Sequence, residues 1–134
     1  MLVKRKITVK AIVTEGYKER LIVQLKQALG KVELSLQELE FQGRRYLTEL
    51  GDADPARTAA FRERLERQKL RQEQIRGSLS SRLATVRELK TGDEHPHAVL
   101  DGLTEVNVGD NLAQKLNAAE LVIKDDLVVE IRNA

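Results

Sequence analysis

The sequence lacks several residue types whose absence excludes whole classes of protein. Its 134 residues include no cysteine and no tryptophan, and only two tyrosines, two phenylalanines and two prolines. The absence of cysteine excludes disulfides, iron–sulfur clusters, thiolate zinc sites and a cysteine nucleophile. No apolar run approaches the length of a membrane-spanning helix, and the charged start of the chain differs from a signal peptide. We therefore expect a soluble cytoplasmic protein that does not enter a membrane.

Charged residues make up 33% of the chain, and positive and negative charges are unevenly distributed. Residues 1–14 hold four basic and no acidic residues, and residues 55–90 hold ten basic residues against four acidic ones. Residues 91–134 hold three basic residues against nine acidic ones. Because opposite charges on neighbouring strands attract, we expect the basic first strand to lie beside acidic C-terminal strands.

A heptad pattern in the middle of the chain predicts two long helices that pack on each other. In the first helix, spacings of three and four residues alternate along a seam, which is the pattern of a coiled coil. Its positions are Ile22, Leu25, Leu29, Val32, Leu36, Leu39, Gly43, Tyr46 and Leu50. Asp54 is a good N-cap and Pro55 a good first residue for the second helix, so the two helices form an antiparallel hairpin.

The second helix repeats the same spacing with a more polar seam. Its predicted positions are Phe61, Leu65, Gln68, Gln72, Ile75, Leu79, Arg82, Val86 and Leu89. Apolar residues also occur on the outward side of each helix, where a two-stranded coiled coil exposes them to solvent. Leu34 and Phe41 lie seven residues apart on the first helix, and Leu70 is outward on the second. We interpret these three residues as a candidate self-association surface.

The two ends of the chain predict one small β domain. Residues 2–13 alternate between apolar and polar residues, and apolar segments near residues 98–108, 121–123 and 127–131 follow the hairpin. The predicted fold is α+β: a small antiparallel β-sheet or barrel with a long coiled-coil hairpin inserted between its strands. We assign residues 1–14 and 93–134 to the β domain and residues 15–92 to the helical arm.

Both ends of the sequence resemble a known family. The segment KRKITVKAIVTEGYKERLI (Lys4–Ile22) is similar to the start of the YlqD-like bacterial proteins. The segments VGD (Val108–Asp110) and ELVIKDDLVVEIR (Glu120–Arg132) are similar to their ending, and Asp125-Asp126 stands where we would expect Asp-Gly. The resemblance implies a family of unknown function without established catalytic residues. Some members are encoded near ribosome-maturation genes, which favours an association with RNA or ribosomes.

The sequence contains no motif that predicts catalysis. No P-loop, nucleophile elbow, dinucleotide-binding fingerprint or zinc-protease motif is present. His95-Pro96-His97, with Asp93 and Glu94 nearby, is the only histidine cluster, and we expect it to lie in an exposed linker rather than bind a metal. We therefore predict a non-enzymatic interaction or structural protein without a cofactor or a small-molecule substrate. Self-association as a homo-oligomer is the first expectation for its partners.

Two alternatives remain open. The basic second helix favours an RNA- or ribosome-associated factor, with Arg64, Arg67 and Arg71 as candidate contacts to phosphates. The spacing of its arginines nevertheless spreads them around the helix, and pairs such as Glu63–Arg67 and Lys69–Glu73 are expected to neutralise some of them. The second alternative is a factor that enters the RNA polymerase channel, with Asp52 and Asp54 as an acidic hairpin tip.

Overall fold

The structure is a computed structural model that describes residues 1–51 and 53–132. The chain forms two compact units, one of residues 20–88 and one of residues 1–19 with the described residues from 89 onward. In chain order the elements are β1 (Leu2–Ile12), α1 (Glu15–Leu50), α2 (Pro55–Arg87), β2 (Glu94–Glu105), α3 (Leu112–Leu116), β3 (Ala119–Lys124) and β4 (Leu127–Arg132). The predicted α+β fold, with two long helices between the first strand and the later ones, is confirmed. The domain boundaries assigned from the sequence stay a prediction.

The four strands form one open sheet in the order β2-β1-β3-β4. β1 is antiparallel to β2 but parallel to β3, so the sheet is mixed, and the predicted wholly antiparallel sheet or barrel is wrong in that detail. The cause is the path of the chain. β2 ends opposite Leu2, at the start of β1, and the chain enters β3 from that end after α3. β3 therefore runs in the same direction as β1.

Charge and turn chemistry in the sheet agree with the sequence. Lys6 Nζ lies 2.6 Å from Asp101 Oδ1, and Lys10 Nζ lies 3.2 Å from Glu120 Oε1, so basic β1 does pair with acidic strands. Asp125 and Asp126 connect β3 and β4 with φ angles of 49° and 67°. Two successive positive φ angles define a type I′ turn, whose twist matches that of the flanking strands.

The core of the sheet unit lies at the end of β1 and the start of α1. Thr14 caps α1, because its Oγ1 accepts a hydrogen bond of 3.1 Å from the backbone N–H of Tyr17. This cap places the Tyr17 ring in the core. The buried side chains of this unit are Val9, Ala11, Val13, Tyr17, Ala119 and Val122.

In the hairpin unit, the facing side of α1 agrees with the heptad prediction. Each of its predicted seam positions is buried or half-buried, and the residues between them are mostly exposed. Contacts between Gly43 and Leu65 and between Tyr46 and Phe61 show that α1 and α2 are antiparallel. No helix in the described part of the chain is long and apolar enough to cross a membrane.

The facing side of α2 differs from the prediction at three positions. Gln68, Ile75 and Arg82 are exposed, and the residues that follow them, Lys69, Arg76 and Leu83, are half-buried or buried instead. Leu65 is thus followed by a step of four residues to Lys69 rather than three. Lysine and arginine can be half-buried in this way because their long apolar stems can be covered while the charged ends reach solvent, where Lys69 and Arg76 meet Glu66 and Glu73. The alternating spacing of three and four residues, continued without this extra step, therefore placed Gln68, Ile75 and Arg82 wrongly in the seam.

Candidate functional site

A close contact and an aromatic pair build the middle of the hairpin. A Cβ placed on Gly43 would lie 2.5 Å from Cδ2 of Leu65, so only glycine leaves room for α2 here. One turn further along, the rings of Tyr46 and Phe61 pack with their centroids 4.3 Å apart and an interplanar angle of 49°. The small residue and the bulky pair lie side by side, and the surface between the helices is consequently uneven.

This uneven surface forms two adjoining grooves along one side of the hairpin. The first has a volume of about 340 Å³ and an apolar floor made of Leu39, Tyr46, Phe61 and Leu65. The second, of about 330 Å³, is more polar, and both grooves share Leu39, Gln42 and Gln68. The four-residue step after Leu65 turns Gln68 out of the seam, so that it lines the grooves instead of filling the space between the helices.

Arginine side chains lie along the α2 rim of these grooves. Arg64 lines the first groove and Arg71 lines the second. Neither has an ion pair or side-chain hydrogen bond in the described part of the chain. On the α1 rim, by contrast, Arg45 Nε contacts Glu49 Oε1 at 3.4 Å. The structure thus presents two guanidinium groups without ion pairs, seven residues apart: Arg64 beside the apolar floor of the first groove and Arg71 beside the more polar second groove.

The arginine candidates therefore divide into two groups. Arg64 and Arg71 are brought to the same side of the hairpin, whereas Arg67 lines neither groove. The expected pairs Glu63–Arg67 and Lys69–Glu73 are wrong. Lys69 Nζ lies 3.9 Å from Glu66 Oε1, and Glu73 Oε2 contacts Arg76 instead. The seven-residue spacing of Arg64 and Arg71 was the available sequence signal for their shared side.

The candidate self-association residues are exposed, but they do not form one surface. Leu34 is 56% and Phe41 68% exposed, and their seven-residue spacing puts them on the same side of α1. Leu70 is 59% exposed and belongs to α2. Each of the three faces away from the contact between the helices, so Leu70 is on the opposite side of the hairpin from Leu34 and Phe41. Leu34 and Phe41 alone share one side of a helix, two turns apart.

At the hairpin tip, Asp54 serves as the N-cap of α2. Its Oδ1 accepts a hydrogen bond of 3.1 Å from the backbone N–H of Arg57, and Pro55 follows as the first helical residue. Asp52, the second carboxylate assigned to the tip, lies outside the described residues. The acidic-tip hypothesis therefore rests on one carboxylate that already has a structural role, and it stays a prediction.

The histidine cluster is part of the sheet rather than a linker. His95, Pro96 and His97 lie in β2, where the pairing with β1 shifts register between Val9 and Lys10. An edge strand with a bulge tolerates proline because its unpaired side needs no N–H donor. The Tyr17 hydroxyl lies 3.1 Å from His97 Nδ1. No group of three or more potential metal ligands occurs among residues 1–51 and 53–132.

An arginine at the end of β4 joins three carboxylates on the sheet. Arg132 Nη2 lies 2.6 Å from Glu94 Oε1 and 3.0 Å from Glu130 Oε2, and Arg132 Nη1 lies 3.6 Å from Glu120 Oε2. Hydrogen bonds from Arg132 hold the pKa values of the Glu94 and Glu130 carboxyls below their usual range. Those same bonds raise the pKa of the Arg132 guanidinium. This cluster ties the two edge strands of the sheet together.

The structure exposes apolar side chains on β4, a strand for which the sequence predicted no functional role. Within residues 1–51 and 53–132, β4 pairs only with β3, so no described strand covers its other edge. A run of consecutive apolar residues, rather than an alternating pattern, was the sequence signal for this feature. The exposed apolar residues of β4 are Leu127, Val128, Val129 and Ile131.

Comparisons with known proteins agree with this architecture. Residues 1–132 match the model of the family described as YlqD protein. The chain is similar to the uncharacterized protein YlqD of Bacillus subtilis (strain 168), with 28% identity over 98% of both chains. It is also similar to the crystal structure of a protein of unknown function from Synechococcus sp. WH 8102, with a TM-score of 0.88 and 25% identity. That alignment covers 98% of this chain and 94% of the other.

Proposed function

The chain belongs to the YlqD family, and we propose that it is a cytoplasmic, non-enzymatic interaction protein whose coiled-coil hairpin associates with a second copy. The observation that carries this proposal is the exposure of Leu34 and Phe41 on one side of α1, opposite the side that packs on α2. Packing of α1 on α2 uses only one apolar side of α1, so a second apolar side does not stabilise the isolated hairpin. The second apolar side is therefore available for another helix.

Helix geometry supports this assignment of Leu34 and Phe41. A spacing of seven residues corresponds to about 10.5 Å along a helix, which is the repeat at which coiled-coil helices insert side chains into each other. Burying a phenylalanine or leucine side chain stabilises an interface by about 1.5–3 kcal/mol. Leu34 and Phe41 would each contribute on that scale in both copies of a symmetric dimer. Leu70, on the other helix, belongs to a separate contact.

Sedimentation at concentrations of tens of micromolar tests the proposal. The native chain is expected to sediment as an oligomer, and the double variant Leu34→Ser with Phe41→Ser as a monomer of unchanged helix content. Ile75→Ser is the matched control, because Ile75 is also an exposed apolar residue of the hairpin but lies on α2. A native chain that stays monomeric, or a double variant that still associates, would contradict the proposal.

A second candidate function is RNA binding, and the arginines of α2 favour it. Arg57, Arg62, Arg64, Arg67, Arg71, Arg82 and Arg87 have no carboxylate partner in the described part of the chain. Arginines that are not neutralised within a protein are suited to displace counterions from phosphates. Filter binding of a single-stranded RNA at increasing salt tests this candidate. Affinity should fall steeply with salt, and Arg67→Ala should reduce the slope; no retention at low salt would exclude it.

A further inference from the structure

We propose that the two adjoining grooves between α1 and α2 bind an acidic amphipathic helix of a partner protein. Neither groove is lined by Leu34 or Phe41, so this surface is separate from the one assigned to self-association. The site goes beyond the proposed function because its occupant is a different protein. Its support comes from the floor, the length and the charge of the grooves.

The floor of the first groove suits apolar side chains. It is built from Leu39, Tyr46, Phe61 and Leu65, and its volume of about 340 Å³ falls within the range of ordinary ligand pockets of about 300–1,000 Å³. The groove is open along one side rather than enclosed, so it would cover only one face of its occupant. A helix that inserts apolar residues at positions i, i+3 and i+7 has this form.

The length of the grooves also matches a helix. On α1 the lining residues extend from Ser35 to Glu49, which corresponds to about 21 Å at 1.5 Å per residue. On α2 they extend from Phe61 to Gln72. An occupant of about four helical turns would therefore lie along both grooves.

The charges along the rims favour an acidic occupant. Arg64 and Arg71 lack carboxylate partners and are about 10.5 Å apart along α2, which equals two turns of a bound helix. Two glutamates seven residues apart on the occupant would reach both guanidinium groups. On the α1 rim Arg45 is paired with Glu49, and Glu38 is the one further carboxylate that lines the grooves. Among the described residues, the unpaired groups on the rims are thus two guanidinium groups and the carboxylate of Glu38, and their balance is positive.

The same features favour a helix over nucleic acid at this site. Tyr46 and Phe61 pack on each other, so their ring faces are already partly covered and do not form a free stacking platform. A phosphate backbone would also gain nothing from the apolar floor. It would instead use arginines all round α2, including Arg67, which lies outside both grooves.

A designed peptide provides the probe for this site. The peptide is a labelled 15-residue helix with leucines at heptad a and d positions and two glutamates seven residues apart, and its binding is followed by fluorescence anisotropy. We expect it to bind the native chain, and a peptide with lysines in place of those glutamates not to bind. The double variant R64E with R71E should weaken binding by about tenfold or more and should bind the lysine peptide instead. All these substituted residues are exposed, so the hairpin should keep its helix content.

Matched controls separate this proposal from the others. The double variant R57E with R82E, which makes the same change in charge, should bind the glutamate peptide like the native chain, because both arginines are exposed, lie outside the grooves and are at least seven residues from Arg64 and Arg71. L34S with F41S should also retain the peptide whether or not it still self-associates, so failure of the two proposals can be distinguished. The proposal is overturned if the native chain does not bind the peptide, or if R57E with R82E weakens binding as much as R64E with R71E. It is also overturned if a single-stranded oligouridylate binds at the grooves and excludes the peptide.

Discussion

Gly43 of α1 lies so close to Leu65 of α2 that a methyl group at position 43 would be 2.5 Å from Leu65 Cδ2. Gly30 and Gly77, which are also in helix interiors, have no atom within 4 Å of such a methyl group. Alanine stabilises an exposed helix interior by about 0.5–1 kcal/mol relative to glycine. The three glycines therefore provide one experiment with two internal controls.

We expect Gly43→Ala to lower the free energy of unfolding by about 1 kcal/mol, because overpacking outweighs the gain in helix propensity. Gly30→Ala and Gly77→Ala should each raise it by up to about 1 kcal/mol. Urea denaturation followed by circular dichroism measures all three. Equal stabilisation by the three substitutions would show that α1 and α2 do not approach closely at Gly43.

The N-cap at Asp54 provides a second prediction. Asp54→Ala removes the acceptor of the Arg57 backbone N–H, so we expect a loss of about 1 kcal/mol in stability. Asp54→Asn is the matched control, since asparagine is an equally good cap without the negative charge. Thermal melts of the two variants make the comparison. If both lose the same stability, the charge at this position matters rather than the hydrogen bond.

The Arg132 cluster predicts a dependence of stability on pH. Because the pKa values of Glu94 and Glu130 are lowered in the folded state, the cluster stabilises the fold above the ordinary glutamate pKa of 4.5. This contribution is lost as the pH falls through the lowered values. We expect Arg132→Gln to melt at a lower temperature than the native chain at pH 7, with the difference narrowing towards pH 3. A difference that does not change with pH would contradict the assignment.

The turn between β3 and β4 provides a fourth prediction. Asp126 has a φ of 67°, a conformation that glycine adopts without strain, so Asp126→Gly should stabilise the protein by about 0.5 kcal/mol. Asp125→Gly should gain less, because type I′ turns favour Asp-Gly with the glycine second, and because Oδ1 of Asp125 accepts a hydrogen bond of 2.9 Å from the Thr14 hydroxyl. Thermal melts compare the two variants. A larger gain at position 125 would indicate that this hydrogen bond contributes little.

Apolar periodicity and capping residues predicted α1, the N-caps at Thr14 and Asp54 and the β3–β4 turn correctly. In each case a short stretch of sequence contains the whole physical cause: a repeating apolar side, a hydroxyl or carboxylate before a helix, or two turn residues between apolar strands. The direction of β3 beside β1 has no such local cause. It depends on the end of the sheet at which β2 terminates, and the sequences of β1 and β3 do not contain that information.

The facing side of α2 and the grooves were less predictable for a related reason. Lys69 and Arg76 are charged residues of the kind usually found on the surface, yet both are half-buried. The groove beside Gln68 results from this displacement, so no pattern of α2 alone predicts it. The seven-residue spacing of Arg64 and Arg71 is enough to predict that they share a side of α2. That Arg67 lines neither groove follows only from the positions of both helices.

The mixed sheet also constrains the order in which the polypeptide acquires its structure during synthesis. β1 is made first, but its partners β2 and β3 follow the whole helical hairpin, with Ile7 opposite Ala119 more than a hundred residues later. Contacts so distant in sequence form slowly, whereas helices joined by a short turn form quickly. We therefore expect the helical hairpin to fold during synthesis, while β1 stays unpaired until β2 and β3 have been synthesised.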